Sequence, residues 1–353
     1  MGMDMKKLVS LLLIFIFIVE ILTGCSVGND SVGQGFGEKK YKQFQATYFD
    51  LFDTVTTVIG YAQTEEEFKK ISIEIYEQLK EYHELFDIYH EYENNNVKTI
   101  NDRAGKAPVK VDERILELLL DCKKYYEITD GAVNAAMGSI LSLWHEARKK
   151  AAENPEDASL PSEEDLKEAM KHIAFENVII DEEKSTVYLI DEKQRLDVGA
   201  IAKGWAVERV CQNVPEGFLI SMGGNVRITG PKPDGSAWII GIQNPEDSNS
   251  YIEKVSIAQG SVVTSGDYQR FMDVNGEKYH HLIDPKTAYP AGQWKSVTII
   301  CEDSGLADAL STALFVLDKE KGEQILKEQN ACAVWIGREK DIIYSDRMKF
   351  YLK

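Results

Sequence analysis

Between Thr54 and Tyr61 β-branched residues crowd into a run that predicts a strand. Beyond it Thr64 and Glu67 stand in capping-box spacing, and Phe68, Ile71, Ile75, Leu79, Tyr82 and Phe86 recur at the three- and four-residue intervals of one helix face. A second helix is expected after Asp112, bearing Ile115, Leu118, Leu119, Cys122 and Tyr126 and ending before Asp130-Gly131. A third begins at Ser162 with Leu166 and Met170, after an exposed loop from Asn154 to Pro161. From Val178 onward the pattern changes to short β-rich runs: Val178 to Asp181, Val187 to Ile190, Phe218 to Met222, Trp238 to Gln243, Val255 to Ile257, Val262 to Thr264 and Val297 to Cys301. One helix interrupts them, Leu306 to Leu317, with Leu310, Leu314 and Leu317 on one face and Asp308 and Thr312 on another. Strands that follow one another with few inserted helices predict an α+β fold on a mostly antiparallel sheet, not repeated βαβ units.

The chain has 353 residues, 44% of them apolar, enough to bury a core, and one folded body is expected over residues 44–353. A formal charge of −18, with acidic residues spread along the chain, excludes a nucleic-acid surface. An anionic ligand would need local cations, helix ends or a metal. At the start, Lys6 and Lys7 precede an apolar run from Leu8 to Val19, and Leu22-Thr23-Gly24-Cys25 follows, the layout of a secretory signal. That tetrad resembles a bacterial lipobox, which implies a signal peptide over 1–24, a lipidated Cys25 and a membrane anchor on the extracytoplasmic side. An uncleaved anchor helix is the other reading, although the run falls short of the ~20 residues needed to span a membrane. The glycine-rich stretch that follows reads as a flexible tether over 25–43. Cys122, Cys211, Cys301 and Cys332 are widely spaced in apolar surroundings, with no CxxC or Cys/His metal spacing, and read as buried thiols.

Four segments carry chemistry. Arg195 to Trp205 passes through small residues into a helix start, where free N–H groups and Lys203 suit a phosphate, although tight strand-to-helix packing explains the same glycines. Gly223-Gly224-Asn225 lets a backbone approach a ligand, or is an ordinary hairpin turn. Thr264 to Arg270 and Tyr279 to Thr287 gather hydroxyl, guanidinium, imidazole and carboxylate groups suited to phosphoryl binding and proton transfer. Since neighbours on a strand face opposite ways, at most one of His280 and His281 faces a given site, and either could be a surface or core residue. Asp308 and Thr312, one helical turn apart, offer two hard oxygens to magnesium, or Thr312 bonds back to the Asp308 carbonyl.

Taken together, these segments resemble the ApbE family from roughly Phe49 to Leu317. Asp197 to Gly204 is similar to that family's DLGAIAKG, Met222 to Asn225 to its GGN, Ser265 to Arg270 to its SGDYxR, and Ala307 to Thr312 to its ADALST. Thr129 to Ala132 and Leu143-Trp144 are similar to its TDGAF and LW elements. The resemblance implies a T-fold-related α+β architecture and magnesium-dependent transfer of FMN from FAD to a Thr or Ser hydroxyl of an exported acceptor protein. A phosphoester would form and AMP would leave. It implies magnesium ligands at the Ala200 carbonyl, the Asp308 carboxylate and the Thr312 hydroxyl. FAD contacts would fall at Asp197, Lys203, Gly223, Gly224, Asn225, Ser265, Gly266, Tyr268, Arg270 and Ile283, and more loosely at Phe52, Asn95 and Trp144. His281 matches the catalytic His, whereas His280 falls at a variable position.

Ala288 stands where the family usually has Gly, and Glu208 where Asp is common. A left-handed backbone at 288 would strain Ala and shift the loop beside His281. Asp130 to Asn134 is similar to a flavinylation motif but ends in Asn, so the acceptor is expected to be another exported protein, such as an RnfG- or NqrC-like FMN-binding domain. Two other readings share these residues: an FAD-binding lipoprotein, and an FAD pyrophosphatase in which water replaces the acceptor hydroxyl.

Overall fold

The computed structural model describes residues 40–353, so the expected signal segment, Cys25 and nearly all of the tether lie outside the described residues. The chain enters on β1 (Lys42–Leu51), turns through Phe52-Asp53 and returns on β2 (Thr54–Ala62). Helix α1 (Glu65–Phe86) follows, with Thr64 accepting from the Glu67 N–H at 3.1 Å. The Glu67 carboxylate reaches one residue further back than a capping box requires, to the Gln63 N–H. Next come α2 (Val97–Asp102), β3 (Val109–Lys110) and α3 (Glu113–Ile128), which Asp112 caps. Helix α3 stops where predicted because Asp130 and Gly131 adopt φ of +53° and +76° and the Gly131 N–H closes onto the Tyr126 carbonyl.

After α4 (Gly138–Glu153) and the short α5 (Glu163–Ala169), β4 (Val178–Asp181) and β5 (Thr186–Leu189) join β3 in a small antiparallel sheet. Helix α6 (Ala202–Cys211) leads to the hairpin β6 (Phe218–Met222) and β7 (Asn225–Ile228), and a second hairpin, β8 (Trp238–Asn244) and β9 (Asp247–Ile257), follows. Then come β10 (Gly260–Gly266), the pair β11 (Phe271–Val274) and β12 (Glu277–His280), and β13 (Trp294–Cys301). Helices α7 (Ser304–Val316) and α8 (Lys319–Glu328) and strands β14 (Cys332–Gly337) and β15 (Ile342–Tyr344) complete the chain.

Eight strands form one sheet in the order β1-β2-β6-β7-β10-β13-β14-β15, each neighbouring pair antiparallel. Strands buried on both faces explain why β6 and β14 show no polar alternation. One face packs against the helical layer through Leu79, Leu119, Val207, Leu310 and Phe315; the other is covered by the β8–β9 hairpin, whose Trp238, Ile240 and Val255 meet Leu219, Ile228 and Val334. A third apolar cluster joins α4 to the 280s loop through Ile140, Trp144, Met272, Ile283 and Ala288. Among the described residues no helix is long and apolar enough to cross a membrane. The cysteines at 122, 211, 301 and 332 are buried and unbridged.

Candidate active site

Helices α6 and α7 cross closely because residue 204 has no side chain. A Cβ on Gly204 would lie 2.2 Å from the Ser304 carbonyl oxygen and 2.6 Å from Asp308 Cβ. The contact aims the Gly204 N–H at Asp308 Oδ2, 2.8 Å away. In a regular helix that N–H would serve the carbonyl of Ala200, so the Ala200 oxygen loses its usual donor. Asp308 is almost fully buried. Burial raises its pKa, against the opposing pull of Lys203 and the Gly204 N–H. Lys203 Nζ stands 3.3 Å from Asp308 Oδ2 and 3.2 Å from the Gly199 carbonyl.

The other motifs meet on the same ground. Ser265, near the end of β10, places its hydroxyl 2.7 Å from Ser311 and 3.5 Å from Thr312 on α7. Ser311, not Thr312, bonds back to the Asp308 carbonyl, which leaves the Thr312 hydroxyl facing Ser265. Gly223 and Gly224 turn β6 into β7 with φ of +54° and +90°, and a Cβ on Gly223 would strike the Thr54 hydroxyl at 2.6 Å. Asn225 is fully buried; its side-chain Oδ1 accepts from Ser304 Oγ at 2.8 Å, while Nδ2 has no partner. The Tyr268 ring lies against Gly266, where a Cβ would sit 2.4 Å from it. Arg270 reaches the Asp53 carbonyl at 3.5 Å, bringing in the Phe52-Asp53 turn, and Phe52 itself packs edge-on against His83.

The two histidines divide: His280 closes β12 and His281 lies just beyond it. His280 is buried, its Nε2 on the Ala291 carbonyl and its Nδ1 accepting from the Leu282 N–H. His281 is half-buried beside Arg270, with Nδ1 3.2 Å from the Arg270 carbonyl. A carbonyl only accepts, so Nδ1 carries the proton and Nε2 keeps a free lone pair, the form of a proton acceptor. Burial first, then Arg270, Arg148 and His280, push the His281 pKa down to about 3. An anion among those guanidiniums would raise it again.

The remaining predicted residues take supporting places. Asp197 accepts from the Gly199 N–H at 2.9 Å, and its backbone N–H is tied to the Ala135 carbonyl, three residues beyond the TDGA turn. Burial raises its carboxyl pKa while Gly199, His145, Arg148 and Arg270 pull the other way. Trp144 is wholly enclosed and donates its indole N–H to the Ala288 carbonyl at 2.8 Å, so it holds the 280s loop from beneath. Ile283 is buried and bridges Pro290 in that loop. Asn95 donates to the Lys110 carbonyl, outside this network. Ala288 does adopt the left-handed backbone, at φ +61°. Glu208 grips the buried Arg227 with both oxygens, at 2.8 and 3.0 Å, and accepts the first N–H of α7 from Ser304.

Sequence reasoning passed over Thr54, Tyr89, His145, Arg148, Ser304 and Ser311. The helical periodicity of Trp144, His145 and Arg148 was the signal for one group, and the serines flanking Asp308 for another. Tyr89 stacks on His145 at 4.9 Å and places its hydroxyl 3.2 Å from Nδ1.

One acidic side chain, a carbonyl without its helical donor and a hydroxyl make a hard-oxygen set, and no group of three His, Cys, Asp or Glu suited to a softer metal occurs among the described residues. The ApbE family model matches residues 52–336, across every element of this network.

The chain belongs to the ApbE family. It is 32% identical over 285 residues to an FAD:protein FMN transferase of Klebsiella pneumoniae, covering 78% of this chain and 85% of that protein. It is 34% identical over 255 residues to an FAD:protein FMN transferase of Treponema pallidum, covering 67% of this chain and 68% of the relative. The ApbE protein of Thermotoga maritima superposes with a TM-score of 0.79 at 33% identity, over 89% of this chain and all of that one. The flavin transferase ApbE from Vibrio cholerae shares the fold, with a TM-score of 0.75 at 23% identity over 89% of this chain.

Proposed function

We infer that this chain is an FAD:protein FMN transferase, and that it passes FMN from FAD to a Thr or Ser hydroxyl of an exported acceptor as a phosphoester. The observation that carries the reading is His281, with Nδ1 held by the Arg270 carbonyl and Nε2 free, in a family whose relatives bear that activity in their names. The acceptor oxygen bonds to the FMN phosphorus, the phosphorus–oxygen bond to AMP breaks, and AMP departs with the bonding electrons. His281 Nε2 takes the hydroxyl proton. Lys203 and Arg270 offer positive charge to the pyrophosphate, and the Gly223-Gly224 turn admits the ligand to the backbone. Magnesium, for which the Ala200 carbonyl, Asp308 and Thr312 are the fitting ligands, supplies a Lewis acid that offsets pyrophosphate charge when bound.

We further propose that a lipid on Cys25 tethers the protein to the extracytoplasmic face of a membrane, as the Leu22 to Cys25 tetrad suggests. Labelling with a palmitate analogue, lost in Cys25→Ser, tests the anchor.

The transfer is tested by mass spectrometry of an RnfG-like acceptor domain incubated with the protein, FAD and magnesium. An FMN-sized adduct on an acceptor Thr or Ser is expected, absent with Asp308→Ala. With His281→Ala, FAD binding persists and the rate falls by roughly 10² to 10⁴-fold. FAD held intact without an adduct would replace the reading with flavin storage, and steady AMP release without acceptor would replace it with hydrolysis.

A further inference from the structure

Beneath the loop that carries His281, helix α4 presents a guanidinium for which the fold supplies an incomplete set of acceptors. Trp144 fixes the helix there through the Ala288 carbonyl. One turn on, along the same face, comes Arg148, whose Nη1 is buried and has no hydrogen-bond partner. A buried donor on a charged group is costly to leave unmade.

Its surroundings point the same way. Arg270 disfavours the charge of Arg148, and both act on His281. The Asp197 carboxylate already acts on both guanidiniums, yet Arg148 Nη1 still has no hydrogen-bond partner, so a donor is left for a second anion. Arginine is well suited to that anion, because its planar fork matches two phosphoryl oxygens at once.

We propose that Arg148 binds the flavin-side phosphoryl group of FAD, beside His281. The assignment rests on the FMN-transfer reading of the cleft. The acceptor oxygen bonds to this phosphorus, the bond to the AMP oxygen breaks, the hydroxyl proton passes to His281, and AMP leaves with the electron pair. The two non-bridging oxygens remain negative throughout, and Arg148 shares that charge.

The test is a set of binding titrations in EDTA with FAD, FMN, riboflavin and AMP, using wild type, Arg148→Gln and Arg148→Lys. Arg148→Gln should weaken FAD and FMN roughly tenfold to a hundredfold and leave riboflavin and AMP unchanged. Arg148→Lys should recover part of the loss. Should Arg148→Gln unfold, Arg148→Lys carries the same contrast, since a point charge lacks the fork: FMN weakened, riboflavin not. Unchanged FAD binding, equal weakening of riboflavin, or a loss for AMP without one for FMN would each overturn the assignment while leaving the transferase reading intact. A wild-type protein that binds no FAD even after magnesium is restored would overturn both.

Discussion

His280 and His281 are adjacent and meet opposite fates. Both ring nitrogens of His280 are satisfied only in its neutral form, because Nδ1 accepts from Leu282 and Nε2 donates to Ala291. Burial is the leading cause that lowers its pKa to about 4. The unfolded chain protonates this group near ~6.5, so the stability it contributes is complete above that pH and declines as pH falls toward about 4. The loss for this residue is on the order of 3 kcal/mol. Denaturant melts from pH 7 down to pH 4 should show it, and His280→Gln should be less stable at pH 7 yet lose less on acidification. Ala288 is the other informative residue. It accepts left-handed strain of roughly 1 to 2 kcal/mol, and its carbonyl is the group that holds Trp144.

At the scale of elements, the crossing of α6 and α7 sets the site. Gly204→Ala would push a methyl into the Ser304 carbonyl and Asp308, prising the helices apart. A loss of about 1 to 3 kcal/mol is expected, together with loss of FMN transfer; a thermal melt and the acceptor assay read the two effects separately. The periodic segments here were legible in the sequence. Helix α1, α3 and α7 all begin at side-chain caps, Thr64, Asp112 and Asp303, and their apolar spacing named the buried face. Helix α4 was not legible, because its N-terminus has no side-chain cap and its first N–H is satisfied by the distant Arg195 carbonyl. Strands β1, β7, β14 and β15 were also missed. The hairpins β1–β2, β6–β7 and β14–β15 join sequence neighbours, but β14 is buried on both faces and carries no polar alternation, and β7 and β15 are only four and three residues long. The chemistry-bearing motifs were legible from the family resemblance, whereas Arg148 and the Glu208–Arg227 pair depend on packing that no motif encodes.

For the whole molecule, the sheet separates two cores with different duties. The helical side carries the cleft, and the β8–β9 side carries none of the motif residues. Trp238 is buried at the centre of that second core and donates to the Gly230 carbonyl at 3.0 Å. Trp238→Ala should cost about 3 to 5 kcal/mol, yet at a temperature where the variant stays folded its KM for FAD should match wild type. A shift in KM would show that the second core tunes the cleft through the sheet.

The four buried cysteines also make this protein its own gauge of opening. Each lies in a different element: Cys122 within α3, Cys211 at the end of α6, Cys301 at the end of β13 and Cys332 at the start of β14. Burial raises the pKa of every one, so a thiol reagent meets a protonated, enclosed sulfur until its element opens. The order in which the four sites are alkylated in native buffer, followed by peptide mapping, would rank the parts of the fold by how readily they come apart. Sites flanking the cleft should slow when FAD is added, and Cys332, on the far side of the sheet, should not.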